Sequence, residues 1–107
     1  MATTEEIMRS MPERFRPEMA GNMKVTYLFE LSGEDGGQWH IRIEGGNCTV
    51  DSGPITDPDA TVSMVAADFI GINTGAINAA SLFWSGQIEV EGDMDSVIAL
   101  APVMGWQ

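Results

Sequence analysis

The sequence predicts an α+β domain of five strands and several short helices, and two stretches carry that prediction. Between Met23 and Val65 four segments alternate apolar with polar residues at a period of two, as half-buried strands do. Between Gly71 and Asp95 the line GINTGAINAASLFWSGQIEVEGDMD packs a helix stop, a second short helix, a strand and a third helix start. Strands gathered in one run, with most helices in another, give an α+β arrangement rather than an alternating one. The 107 residues are expected to form a single domain, with an N-terminal helix over 1–14 and the core over 15–107. A chain of this length buries roughly 65% of its unfolded surface, enough for one core and one modest cavity but not for a separate catalytic domain.

The elements follow in order. Thr3 and Glu6 fit a capping box, and Ile7, Met8 and Met11 form a narrow apolar stripe that Pro12 is expected to stop. Pro17 suits a first helical position and Gly21 a stop, so 17–20 is a single turn. The first strand runs from Met23 to Leu31, with Val25, Tyr27, Phe29 and Leu31 on one face. Asp35-Gly36-Gly37 turns the chain into a second strand, Gln38 to Glu44, with Trp39, Ile41 and Ile43 inward. Gly45-Gly46 is a tight hairpin turn into the third, Asn47 to Ser52, where Cys48 and Val50 share a face. After the rigid Pro54 to Asp59 connection, the fourth strand, Ala60 to Val65, directs Ala60, Val62 and Met64 inward.

A helical pattern begins near Asp68, preceded by Val65-Ala66-Ala67 where a capping side chain would be expected, so its first turn should fray or be capped from elsewhere. Gly75 ends it, Asn78 caps a helix carrying Leu82, Phe83 and Trp84, and Gly86 closes that one. Gln87 to Glu91 is the fifth strand. Asp93 caps a last helix with Val97, Ile98 and Ala101 on its apolar side, and Pro102 is expected to break it early, leaving residues 102–106 as an added turn or a mobile flap.

In register, Asp68-Phe69, Gly75-Ala76-Ile77-Asn78, Leu82-Phe83-Trp84-Ser85-Gly86, Ile88-Glu89-Val90 and Gly92-Asp93-Met94 resemble the closing half of the sterol carrier protein 2 domain, a lipid-binding family. With the upstream Gly36-Gly37-Gln38-Trp39 and Asp57-Pro58-Asp59-Ala60-Thr61-Val62, the likeness covers roughly 15–100. The resemblance implies a five-stranded mixed, largely antiparallel sheet, short helices covering one face, and an apolar cavity or tunnel between the layers. It also raises the N-terminal helix as a membrane-touching element, against which Glu5, Glu6 and Glu13 offset Arg9 and Arg14.

Charge narrows the partners. Sixteen acids against five bases give a net charge of −11, which argues against nucleic acid and anionic membrane surfaces, since affinity for polyanions comes from Lys and Arg. All five bases lie at or before Arg42, whereas Glu44 to Asp95 holds nine acids and no Lys or Arg. No run of 18 apolar residues is present, so stable membrane insertion is not expected. One cysteine and an acidic start without a signal-peptide pattern point to a cytoplasmic protein, and the ending Met104-Gly105-Trp106-Gln107 is not a peroxisomal tail.

Catalytic chemistry finds little footing. The only Cys, Cys48, and the only His, His40, fall on opposite strand faces by parity, whereas a nucleophile and its base must meet within hydrogen-bond reach. Glu89, Glu91, Asp93 and Asp95 read as a strand face, a helix cap and a first helical turn rather than a metal site, and Asp57 and Asp59 flank a turn. No phosphate loop is present. No enzyme activity, no cofactor and no metal are expected.

The apolar inventory is richer than a few helices on one sheet face require. Eight Met, a flexible residue suited to irregular guests, accompany a cluster from which the expected ligand-binding residues are drawn: Phe69, Ile70, Leu82, Phe83, Trp84, Ile88, Met94, Ile98 and Met104. The expected function is non-catalytic binding or transfer of an apolar lipid, a fatty acyl chain, sterol-like or isoprenoid. The alternative is an accessory or dimerisation module for a lipid-metabolising enzyme, acting as a homodimer or enzyme partner through the open sheet face or Trp106. Where the family often carries Gly-Lys-Leu-Lys this chain has Gly86-Gln87-Ile88-Glu89, so a neutral or weakly acidic lipid is expected over acyl-CoA.

Overall fold

A computed structural model describes residues 2–106. Its helices are α1 (Thr4–Arg14), α2 (Pro17–Ala20), α3 (Ala66–Thr74), α4 (Ala79–Trp84) and α5 (Met94–Met104). Its strands are β1 (Lys24–Ser32), β2 (Gly37–Glu44), β3 (Asn47–Ser52), β4 (Ala60–Val65) and β5 (Glu89–Gly92), in the spatial order β3-β2-β1-β4-β5. β1 pairs antiparallel with β2 (Tyr27↔Ile41) and parallel with β4 (Tyr27↔Ala60), while β2–β3 and β4–β5 are antiparallel, so the sheet is mixed and mostly antiparallel.

The period-two alternation places Tyr27, Phe29 and Leu31, Trp39, Ile41 and Ile43, Cys48, and Ala60, Val62 and Met64 on one buried face. These residues join Ile7, Met8, Met11, Phe69, Leu100 and Val103 from the helices in one core cluster. Phe69 packs its ring 5.6 Å from Phe29 and 6.4 Å from Trp106. Fully burying a side chain of this size stabilises by about 1.5–3 kcal/mol. Tyr27, also fully buried, satisfies its hydroxyl by donating to the Ser96 carbonyl at 2.7 Å, which ties the first turn of α5 to the middle of the sheet.

Both proline expectations are corrected. α1 runs on through Pro12 to Arg14. Pro12 removes only its own ladder bond; Phe15 N–H still reaches the Met11 carbonyl at 2.9 Å, and Arg14 Nε and Nη2 tie the last turn back to Ser10 Oγ and the Ile7 carbonyl. α5 likewise continues past Pro102 to Met104 and ends at Gly105 in the left-handed region. Val103 and Met104 are buried, and the Val103 carbonyl accepts from Arg16 N–H at 2.9 Å, so tertiary packing holds a turn that the proline weakens. Residues 102–106 are therefore helix and docked end, not a flap.

Smaller boundaries move too. β5 starts at Glu89 rather than Gln87, and α3 starts at Ala66, following Val65 without a capping side chain. Thr3, Asn78 and Asp93 cap α1, α4 and α5 by accepting from the backbone N–H of Glu6, Ser81 and Ser96.

At the end of α3 the chain reverses tightly. Gly75 takes φ 82°, and the carbonyl of Gly71 accepts from both Ala76 and Ile77 N–H, at 2.9 and 3.1 Å. Ile77 thereby folds back onto Gly71, where a Cβ would stand 2.7 Å from Ile77 Cγ1. This reversal sets where α4 begins and hence how it stands over the sheet.

Candidate functional site

Between the sheet and the helical layer lies a cavity of about 330 Å³. Its floor is the inner face of the central strand and its parallel neighbour, Phe29 from β1 and Val62 and Met64 from β4. One wall is Ile72 of α3 with Ala79, Ala80, Phe83 and Trp84 of α4; the other is Met94, Val97, Ile98, Leu100 and Ala101 of α5. Ile88 and Trp106 complete it. Every side chain in this lining is apolar. The volume falls within the ~300–1,000 Å³ typical of small-molecule sites, without the convergent polar groups that such sites use to orient a polar guest.

The cavity exists because the elements around it are spaced apart at one end. α3 and the last turn of α5 close on the sheet through Phe69, Leu100 and Val103, all fully buried. At the other end the short α4 presents Trp84 to solvent at 84% exposure, and the first half of α5 leaves Ile98 62% and Met94 37% exposed. The site is thus open on the side where these three residues stand.

Of the nine residues expected to contact a ligand, Phe83, Trp84, Ile88, Met94 and Ile98 line the cavity. Phe69, Leu82 and Met104 are instead buried in the core, and Ile70 packs half-buried against it. The sheet contribution, Phe29, Val62 and Met64, was absent from that set, as were Ile72, Val97, Leu100, Ala101 and Trp106. Strand alternation marks Phe29, Val62 and Met64 as inward-facing; which inward residues the helices leave uncovered is decided by helix placement. Among the methionines of the described residues, Met64 and Met94 reach the cavity, while Met8, Met11 and Met104 are core.

Trp106 turns inward. Its Nε1 donates to Asn73 Oδ1 at 3.0 Å, and the same oxygen accepts from Arg14 Nη2 at 2.9 Å. Asn73 Nδ2 donates in turn to the Phe69 carbonyl at 2.8 Å. Burial lowers the pKa of the Arg14 guanidinium, which lies behind Trp106 and outside the lining, its donors directed at Asn73, Ser10 and Ile7.

His40 and Cys48 lie on opposite faces of the sheet. Cys48 is in the core, its thiol pushed up to about 11 by burial; His40 Nδ1 sits 3.0 Å from the Gly53 carbonyl. Among the described residues no group of three or more His, Cys, Asp or Glu is placed to hold a metal ion. No helix of the described residues is long and apolar enough to cross a membrane. A second, polar depression lies at the far end of the sheet, lined by Lys24, Thr26, Arg42, Glu44 and Asp59 with Val25 and Ile43.

A family model described as the SCP-2 sterol transfer family matches residues 5–105. Human "Hydroxysteroid dehydrogenase-like protein 2" is 32% identical over 101 residues, which are 94% of this chain and 24% of that protein. The chain thus spans about a quarter of the length of the curated relatives it matches. Among solved structures, palmitated SCP2L2 from Aedes aegypti superposes with a TM-score of 0.82 at 23% identity, covering 96% of this chain and 95% of that one. The sec-alkylsulfatase Pisa1 from Pseudomonas sp. gives 0.77 at 17% identity, covering 97% of this chain and 16% of that one. Both show the same fold.

Proposed function

This chain belongs to the SCP-2 sterol transfer family, and from that premise we propose that it holds an apolar lipid in the cavity between helices and sheet, without chemistry. The observation that carries the reading is a wholly apolar lining, drawn from β1, β4, α3, α4 and α5, around about 330 Å³ that opens to solvent. Burying a dozen methylenes there is worth about 10 kcal/mol gross, reduced by the costs of association and ordering. The palmitated state of the mosquito relative supports a hydrocarbon chain as the guest. The separation of Cys48 from His40 supports a passive role.

The charge distribution favours a lipid whose polar end is neutral. Among the described residues no ionisable side chain lines the cavity, and an isolated carboxylate taken out of water pays several kcal/mol unless paired. Native mass spectrometry of the chain incubated with hexadecanol, palmitate and palmitoyl-CoA tests both parts. One-to-one uptake of hexadecanol, exceeding palmitate and then palmitoyl-CoA, is expected; no uptake of any of them ends the lipid reading.

A second reading has one observation in its favour: the matching region is about a quarter of the dehydrogenase-like relatives. In that reading the domain serves an oxidoreductase, presenting it with a bound lipid. Stoichiometric co-purification with an oxidoreductase would favour it, and isolation of a lone lipid-loaded protein would disfavour it.

A further inference from the structure

We propose that the open side of the cavity, where Trp84, Met94 and Ile98 stand exposed, is the surface that docks this protein on an uncharged or zwitterionic lipid bilayer. The inference rests on the cavity being a lipid site. All three residues belong at once to the cavity lining and to the exposed surface, so apolar surface runs unbroken from the floor of the cavity to its rim. A contiguous exposed apolar patch rimmed by polar groups marks an interaction site, whereas single exposed apolar residues do not. Met19 and Val65, the other large exposed apolar residues among those described, are outside this lining.

Charge and chemistry select the occupant. The rim is built from 79–98, and the chain carries no Lys or Arg after Arg42. Asp93 caps α5 with its carboxyl held below the usual range by the Ser96 hydroxyl, and a second acidic side chain, Asp95, stands one turn before Ile98 on the same helix, so the patch has acidic residues beside it. An anionic bilayer is repelled by this rim. A neutral headgroup layer with hydrocarbon beneath it suits an exposed indole flanked by aliphatic side chains, since Trp settles at that boundary. Contact there joins bilayer hydrocarbon to cavity hydrocarbon, so a guest can cross without meeting water.

α1 has no such surface to offer. Ile7, Met8 and Met11, its apolar stripe, are spent in the core, and Glu5, Glu6, Arg9 and Glu13 face solvent. The docking surface therefore sits at the start of α5 and the end of α4, on the opposite half of the sequence from the helix that the family likeness suggested.

Flotation of the full chain with phosphatidylcholine vesicles, and with mixed phosphatidylcholine–phosphatidylserine vesicles, tests the proposal. Binding to phosphatidylcholine is expected, with less binding when phosphatidylserine is added at low salt and recovery at high salt. Trp84→Ser should weaken flotation about tenfold or more, and Trp84→Phe should retain flotation but lose most of the quenching of indole emission by brominated phosphatidylcholine. Asp95→Lys, a residue beside the patch but not in the lining, should raise binding to the anionic vesicles. Flotation unaffected by Trp84→Ser, binding that rises with phosphatidylserine, or a dimer that Trp84→Ser dissociates, each overturns the proposal. Uptake of hexadecanol from cyclodextrin, measured without vesicles, reads the cavity separately: uptake without flotation rejects docking alone, and no uptake rejects the lipid site beneath it.

Discussion

Trp106 donates its indole N–H to Asn73 Oδ1 at 3.0 Å, and that oxygen is shared with Arg14 Nη2. Three parts of the chain far apart in sequence, the end of α1, the end of α3 and the segment after α5, thus meet on one amide. Asn73→Ala removes both bonds, and the one from Asn73 Nδ2 to the Phe69 carbonyl, and is expected to cost about 1–3 kcal/mol in urea unfolding. Trp106→Phe added to that variant should cost less than Trp106→Phe alone, because the bond it would break is already gone. Additive losses would show that the shared amide does not couple Trp106 to α3.

Gly71 gives a sharper test, since general propensity and local packing disagree in sign. Ala in place of a helical Gly ordinarily stabilises by about 1 kcal/mol. Here the added methyl would meet Ile77 Cγ1 at 2.7 Å, within the reversal that positions α4. Gly71→Ala is expected to destabilise by about 1–3 kcal/mol, and Ile77→Ala in the same chain should return part of that loss. A stabilised Gly71→Ala would mean that Ile77 moves aside freely.

The strands were legible because period-two alternation is local: Tyr27, Phe29, Trp39, Ile41, Ala60 and Val62 all point inward as the pattern requires. The caps were legible for the same reason, as Asn78 and Asp93 act within three residues of themselves. Pro12 and Pro102 misled because a proline removes a single ladder bond and others carry the helices past it, Arg14 bonding back over its own helix α1 and Arg16 N–H reaching Val103 from a distant part of the chain. The site was half legible. Apolar character distinguished neither Phe69, fully buried, from Phe83 on the cavity wall, nor Leu82 from Trp84 two residues later. That division depends on the tilt of α4 and α5 over the sheet, which no short stretch of sequence encodes.

Cys48 supplies a pH dependence of definite sign. Burial raises its thiol from 9.0 to about 11, and burial, followed by Asp93, Asp59 and Cys48 itself, raises the Tyr27 phenol above its usual 10. Below the ordinary thiol value both folded and unfolded chains keep the proton, and the stability is fully present. As pH rises past that value the unfolded chain ionises first, so stability falls towards the folded value of about 11. Urea midpoints measured across this window should drop, and Cys48→Ala should remove the earlier part of the drop, leaving the part due to Tyr27.

The cavity can be separated from the core by two substitutions with opposite signatures. Ala101 lines the cavity half-buried, so Ala101→Phe puts a ring into the vacant space. It should reduce hexadecanol uptake about tenfold or more while leaving stability unchanged or raised by about 1 kcal/mol, as cavity filling does. Leu82 is buried outside the lining, so Leu82→Ala should cost about 2–4 kcal/mol in urea unfolding yet leave uptake by the folded fraction near that of the parent. Isothermal titration with hexadecanol, read beside the unfolding curves, distinguishes the two. Undiminished uptake by a folded Ala101→Phe chain would place the lipid somewhere other than between α5 and the sheet.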